Sequence, residues 1–397
     1  MTDMPSAAPV LNALGQAVQP ALSRIPSDIG ALADYARQAR HHIEAHAWAH
    51  IESGCDQAQA LAHNRQALDR IRLLPEPLPD LSQAHTGLQL LGQDFDWPVL
   101  LAPVAYHRLA HPEGEIASVR AAMAMRTGMV VSTLSSYTLE EIAQAAAAAS
   151  HELGRKAPLW FQLYSQPDRQ HTLSLVRRAE AAGYQALVWT VDANIKRSGY
   201  PLPPGVEAVN LRGMPQSQQT GDLMDDHILF GTPLATGAPR WSDLEWLRTH
   251  THLPLIVKGI LSPRAARQAV ELGADAIVVS NHGGRVLDAA VSPIDVLADV
   301  RQAVGPQLPL LLDSGIRQGT DVLKAVALGA AAVGIGRPVL YSMCGGYGED
   351  GLRRMCAILR TEIAANMALA GAATVEDLVP EMVNAERAER EVFRGVK

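Results

Sequence analysis

The chain predicts an α/β protein: an eightfold parallel barrel with helices on its outside, a helical extension before it and a long loop after its fourth strand. Three observations carry this. Eight short apolar runs follow one another from residue 98 to residue 338. Amphipathic segments, several ending in glycine, alternate with them. Each run also ends in a polar side chain or in a small residue that permits close approach.

The runs are PVLLAPVA (98–105), GMVVSTL (128–134), LWFQLY (159–164), ALVWTVD (186–192), LPLIVKG (253–259), ADAIVVSN (274–281), LPLLLDSG (308–315) and AAVGIGRP (331–338). Each is short and β-rich, as a strand buried on both faces of a parallel sheet should be. Helical patterns such as PEGEIASVRAAMAMRTG, TLEEIAQAAAAA, QHTLSLVRRAEAAG and SPRAARQAVELG lie between them, and their terminal glycines suit C-caps. An open doubly wound sheet is the alternative, but it seldom needs eight such units in series. Residues 194–238 show no clear element, and an insertion of that size after the fourth strand reads as a functional lid. It has no strong amphipathic helical pattern, so it does not support membrane docking. Residues 28–72 read as helical up to a cap at Gly54 and beyond, and LPEPLPDL (74–81) breaks the region with prolines. The expected organisation is a loose Ala/Pro/Ser-rich terminus over 1–27, a helical segment over 28–80 and the barrel over 81–385.

With 397 residues, 48% hydrophobic and 19% charged, the chain has length for a large core. A formal charge of −7 and the lack of basic runs argue against a nucleic-acid surface. Cys55, Cys344 and Cys356 form no CxxC pair, so neither a disulfide framework nor a thiolate zinc site is expected. No signal peptide stands out, and no stretch reaches the roughly 18 unbroken apolar residues of a spanning helix. A cytoplasmic location is the expectation. GYGEDG (346–351) follows the last strand instead of opening a βαβ unit, so it is no dinucleotide site. His42, His46 and His50 share one face of a continuous helix; with no carboxylate or cysteine to complete a metal site, a packed or solvated face is the better reading.

In such a barrel, chemistry sits at the C-terminal ends of the strands. Those ends here offer Ala105 and Tyr106, Ser132 and Ser135, Gln162 and Tyr164, Thr190 and Asp192, Lys258, then Ser280, His282 and Arg285, then Asp313 and Arg317, then Gly336 and Arg337. One such residue could be a cap or a satisfied core polar group; a full ring of them points to a site. The glycines and arginines of DSGIRQG and GIGRP suit a phosphate dianion better than a pair of solvated turns. Lys258 closes an apolar strand and needs an anion, either a reduced flavin ring, negative at N1, or a carboxylate such as Asp192 or Asp313.

The stretch VVSNHGGRVLD (278–288), with LAPVAYHRLAHPEGE, STLSS, FQLY, WTVDA, VKGI, DSGIR and GIGRP, resembles the FMN-dependent L-2-hydroxy acid oxidase and dehydrogenase family of glycolate oxidase, lactate oxidase and flavocytochrome b2. The resemblance spans roughly residues 28–370. It implies that His282 is the base that takes a proton from the substrate hydroxyl or α-carbon, and that Asp192 stabilises its charged form. It implies that Arg285 clamps the substrate carboxylate, with Tyr164 near the substrate oxygen and Tyr106 on the substrate side, and that Lys258 balances the reduced flavin. Pro103, Val104, Ala105, Ser132, Ser135, Gln162, Thr190 and Ser280 would line the ring and ribityl chain. Asp313, Gly315, Arg317, Gly336 and Arg337 would hold the ribityl and phosphate end. Gly283 and Gly284 would let the backbone pass close to the flavin. Two positions depart from the family pattern. HIESG puts His50 where a carboxylate-gripping tyrosine is usual, and TVDANIKRSGY puts Gly199 where an arginine is usual, with Arg197 two residues earlier as a possible replacement. The implied activity is FMN-dependent oxidation of an L-2-hydroxy acid to the 2-oxo acid, with electrons passing to oxygen, a quinone or a partner protein, since no haem domain precedes the barrel. A homotetramer is also implied. The departures keep two other readings open: an FMN barrel enzyme for a larger or specialised substrate (a tailoring oxidase or isomerase), and a flavin-binding scaffold or sensor without turnover, against which intact His282, Asp192 and Arg285 speak.

Overall fold

The computed structural model describes residues 10–193, 202–203, 205–214, 235 and 237–384. All eight apolar runs form barrel strands: β1 Val99–Leu101, β2 Gly128–Ser132, β3 Leu159–Leu163, β4 Leu187–Thr190, β5 Leu255–Ile260, β6 Ala276–Val279, β7 Leu310–Leu312 and β8 Ala332–Ile335. They are parallel and close into a barrel, with Val99 of β1 beside Val333 of β8. The strands are shorter than the runs because the last residues of each run leave the ladder and turn outward to form the rim. Helices α4 Gly114–Met125, α5 Leu139–Leu153, α6 Arg169–Ala181, α7 Trp241–Arg248, α8 Pro263–Glu271, α9 Pro293–Val304, α10 Gly319–Ala327, α11 Arg337–Met343 and α12 Gly348–Ala370 follow the strands. Inward-facing Leu100, Val130, Trp160, Val188, Ile256 and Leu311 fill the barrel. A hairpin of Leu88–Leu90 and Gln93–Phe95 plugs its N-terminal end: Leu90 and Phe95 join that core, and Trp160 Nε1 donates to Gln93 Oε1 at 2.9 Å. Among the described residues, the polar side chains of the barrel core therefore gather at the opposite end.

The helical extension departs from expectation. It forms three helices, α1 Leu32–His42, α2 Ala45–Glu52 and α3 Gln59–Arg70. The break at Ile43 and Glu44 exists because the preceding segment takes over its hydrogen bonds. Ala45 N donates to Leu11 O, Gln19 N to His41 O, and the buried Asn12 amide to His41 O. Ile43 turns into the core at the same place. So residues 10–22, expected to be loose, are docked, with Leu22 N on Gly345 O. The break also separates His42 from His46 and His50, and among the described residues no group of His, Cys, Asp and Glu could hold a metal.

Helix α3 is fastened to two rim loops. Asn64 and Asn281 exchange amide hydrogen bonds at 2.9 and 2.7 Å in a buried pair. Arg65 forks onto the fully buried Asp321 at 2.5 and 2.8 Å and also donates to Gly315 O. Asp288 accepts from Gln57 N and Ala60 N at the start of α3, where a carboxylate is favoured by the helix dipole. Deeper in the rim, buried Glu115 accepts from His107 N and Ser136 N and ties the loops after β1 and β2 together.

Two outcomes are expected. Arg65→Ala leaves buried Asp321 with the backbone donors of Arg317 and Gln318 and a long contact from the Gln318 amide, and should cost about 2–3 kcal/mol in denaturant unfolding, below the cost of a fully buried pair because Arg65 reaches solvent. His107 is held neutral chiefly by burial, which lowers its pKa from the ordinary 6.5. The unfolded chain therefore binds a proton that the fold refuses: this contribution is intact above pH 6.5 and is lost as pH falls below it. Thermal melts should show a fall in stability over that range, made shallower by His107→Gln.

Candidate active site

The polar residues anticipated at the strand ends meet over the C-terminal mouth. His282 lies in the left-handed region at φ 57°, as do Tyr106 at φ 57° and Ser314 at φ 78° in the loops after β1 and β7. Side chains rarely adopt this conformation, and the surroundings must hold it. For His282 they do so on three sides. Its N–H donates to Ser280 Oγ at 3.0 Å, Nδ1 lies 2.9 Å from Asp192 Oδ1, and Nε2 lies 3.4 Å from Tyr164 Oη. Ser280 also accepts from Lys258 Nζ at 2.8 Å, and Lys258 pairs with Asp313 at 2.9 Å. Of the two carboxylates named as partners for Lys258, Asp313 is thus the one bonded to it.

The electrostatics follow. Burial by itself would raise the Asp192 pKa, but the His282 charge and hydrogen bond, with Lys258 behind them, hold it below the usual carboxylate range. Burial would likewise lower Lys258, but Asp313 and Asp192 outweigh that and raise it. Tyr164 is driven up by burial and then by Asp192, so its hydroxyl keeps its proton and can donate. The site holds a fixed anion, a fixed cation and a protonated phenol around one imidazole.

The two arginines converge on the C-terminal end of α2, the negative end of its dipole. Arg285 Nη1 donates to the carbonyls of His50, Ile51 and Ser53 at 2.9–3.2 Å. Arg337 donates to Ile51, Ser53 and Gly283 at 3.0–3.1 Å. Burial, then repulsion from Arg337, pushes Arg285 down to about 10. Burial, with Arg317 nearby, lowers Arg337 too. Two half-buried guanidinium groups that repel one another make a strong receptor for an anion. The glycines between His282 and Arg285 serve this packing. A Cβ at Gly284 would lie 2.5 Å from Leu61 N, and one at Gly283 would lie 2.9 Å from Arg337 Nη1. At these glycines the backbone lies close against α3 and Arg337.

The other anticipated residues divide into two groups. Pro103, Val104, Ala105, His50, Gly315, Arg317 and Gly336 are partly accessible around the mouth, with the His50 ring edge-on to Tyr106 at 5.9 Å. Ser132, Gln162 and Thr190 form a buried chain of hydrogen bonds across β2, β3 and β4. Ser135 is fully buried, donates to Tyr137 O and accepts from Asn210, so it anchors residues 209–210 of the long insertion. Arg197, Gly199 and most of the anticipated lid lie outside the described residues. Asn64, Arg65, Asn210, Glu115 and Gly259 were not anticipated; Glu115 and Gly259 stand inside quoted motifs, HPEGE and VKGI, and the other three carry no local signal.

Comparison with known proteins agrees with this geometry. The family model of the FMN-dependent dehydrogenases matches residues 39–385. An L-lactate oxidase of Alicycliphilus denitrificans is 43% identical over 89% of this chain and 96% of its own length. A 4-hydroxymandelate oxidase of Amycolatopsis orientalis is 41% identical over 87% of this chain and 95% of its own. Among solved structures, a mandelate oxidase with (S)-2-phenylpropionate superposes with a TM-score of 0.77 at 39% identity, covering 89% of this chain and 98% of the other. These matches do not favour a tailoring oxidase or an isomerase. The cofactor is FMN, the reaction is oxidation of a 2-hydroxy acid at its CH–OH group, and the chain belongs to the FMN-dependent dehydrogenase family.

Proposed function

We propose that the chain is an oxidase of L-2-hydroxy acids that returns electrons to oxygen, with His282 as the base. The observation that carries this is the line of Asp192, His282 and Tyr164, held together at 2.9 and 3.4 Å beside the half-buried Arg285. The use of oxygen in place of a quinone rests on the relatives, which are named as oxidases.

The residues fit FMN by their donor set. Buried Lys258 offers a positive charge to the ring. Pro103, Val104 and Ala105 offer a low apolar wall beside it. Arg317 and Arg337, with Gly315 and Gly336, offer cations and accessible backbone for the phosphate. When bound, FMN supplies the acceptor for the two electrons leaving the α-carbon. The rest is the work of the chain. Arg285, with His50 and Tyr106 on the same side, fixes the substrate carboxylate. The Tyr164 hydroxyl donates to the substrate oxygen. Nε2 of His282 takes the proton, from the hydroxyl or from the α-carbon, while Asp192 at Nδ1 stabilises the imidazolium. Arg197 belongs to this reading as a second cation for the carboxylate.

Lactate and mandelate are the substrates to separate, because relatives named for each class match at nearly equal identity. Buried Cys55, Cys344 and Cys356 form no disulfide, which suits a cytoplasmic setting. The family resemblance supports a homotetramer, which light scattering would test.

Anaerobic addition of L-lactate or (S)-mandelate to the yellow holoprotein should bleach the flavin band, and air should restore it. Bleaching that air does not reverse would replace oxygen with another acceptor. His282→Ala should lower kcat on the order of 10²–10⁴-fold with FMN retained. Asp192→Asn should lower kcat and move the acid limb of kcat/KM to lower pH, because the imidazolium loses its anion. Arg285→Lys should raise KM more than it lowers kcat, because a point charge cannot fork onto a carboxylate.

A further inference from the structure

Strands β5 and β6 do not pair evenly. Lys258 lies beside Val278 and Ile260 beside Val279, so Gly259 is an extra residue in β5, a bulge. Its φ is 108°, a conformation that favours glycine. A Cβ at this position would lie 2.6 Å from both Cβ and Cγ of Asp192 and 3.0 Å from Oδ1. Non-bonded carbons ordinarily stay about 3.5–4.0 Å apart. The end of β4 is tied to the same spot, since Val191 N donates to Lys258 O at 2.9 Å. Oδ1, the oxygen crowded by such a Cβ, is the one that faces Nδ1 of His282.

We infer that the Gly259 bulge is a positioning element for proton transfer: the missing side chain makes the slot in which Asp192 sits, and the slot aims Oδ1 at His282. The inference rests on His282 being the base. A methyl group in the slot must displace the Asp192 carboxylate by about an ångström, because the contact is to Cβ and Cγ near its backbone and not to the end of a long side chain. A 2.9 Å hydrogen bond then lengthens past useful reach. Among the described residues, the titratable groups around Asp192 are His282, Lys258 and Tyr164, with Asp313 beyond Lys258 and Arg285 and Tyr106 beyond Tyr164. None of these fills the gap left by a retreating carboxylate. Lys258, just before the bulge, turns inward by the same alternation as Ile256 and meets Ser280 and Asp313.

The test compares holoenzyme carrying Gly259→Ala, Asp192→Asn and both together. Gly259→Ala should lower kcat on the order of 10–100-fold with KM and FMN content little changed. It should also move the acid limb of kcat/KM to lower pH, in the direction of Asp192→Asn. Added to Asp192→Asn, it should cost almost nothing more, since the anion it would displace is already gone. Wild-type kinetics in Gly259→Ala, or the same cost in both backgrounds, would overturn the inference while leaving His282 as the base. If Asp192→Asn itself leaves rate and limb unmoved, the proton-transfer reading fails, and the inference with it. If Gly259→Ala does not fold, the Gly259→Ala/Asp192→Gly pair decides: recovery of folding shows that the slot belongs to Asp192, and failure shows that backbone conformation alone demands the glycine, which overturns the inference.

Discussion

Holding Lys258, Arg285 and Arg337 at the mouth of one barrel, the lysine buried and the arginines half-buried, is the constraint to which the rest of the structure answers. Charge taken out of water must be met by hydrogen bonds or by opposite charge. Lys258 is met by Asp313 and Ser280. The two arginines are met by carbonyls at the end of α2, a helix that belongs to the extension and not to the barrel. The extension is thus part of the site. Its broken helices, its docked N-terminal segment and the fastening of α3 through Asn64, Arg65 and Asp288 all keep those carbonyls in place over the rim. The arginines still repel one another, which leaves the mouth poised for anions.

The same loops carry the strain. His282, Tyr106 and Ser314 adopt left-handed conformations in three neighbouring rim loops, and Gly259, Gly283 and Gly284 adopt them where a side chain would strike Asp192, Arg337 or α3. Strained residues persist only where their neighbours over-determine them, and each of these positions is hydrogen-bonded or packed from several sides. The floor has a left-handed residue of its own, Leu91 at φ 50° in the turn of the plugging hairpin. The apolar plug of Leu90, Phe95 and Trp160 lies at the end of the barrel opposite His282.

The sequence by itself determined the barrel, its eight strands and the identity of the residues at their ends. Strands buried on both faces must be apolar throughout, so a polar residue closing such a run is visible without coordinates; His282, Asp192, Lys258 and Arg285 were legible for this reason, helped by the resemblance carried by SNHGGRVLD. What only the tertiary structure decided is how these residues are held. The helix break at Ile43 depends on hydrogen bonds from Leu11, Asn12 and Gln19, more than twenty residues away, and helical periodicity does not report them. Asn64 meets Asn281 and Arg65 meets Asp321 across more than two hundred residues, so neither has a local signal. That a side chain at Gly259 would strike Asp192, and one at Gly284 would strike Leu61, is visible only once those segments have come together. Ser135 looked like its neighbour Ser132, but its hydroxyl went to Asn210 of the insertion. Composition and spacing specify what one strand presents; the partner that comes to meet it is a property of the folded chain, because distant segments are brought together only by closing the barrel.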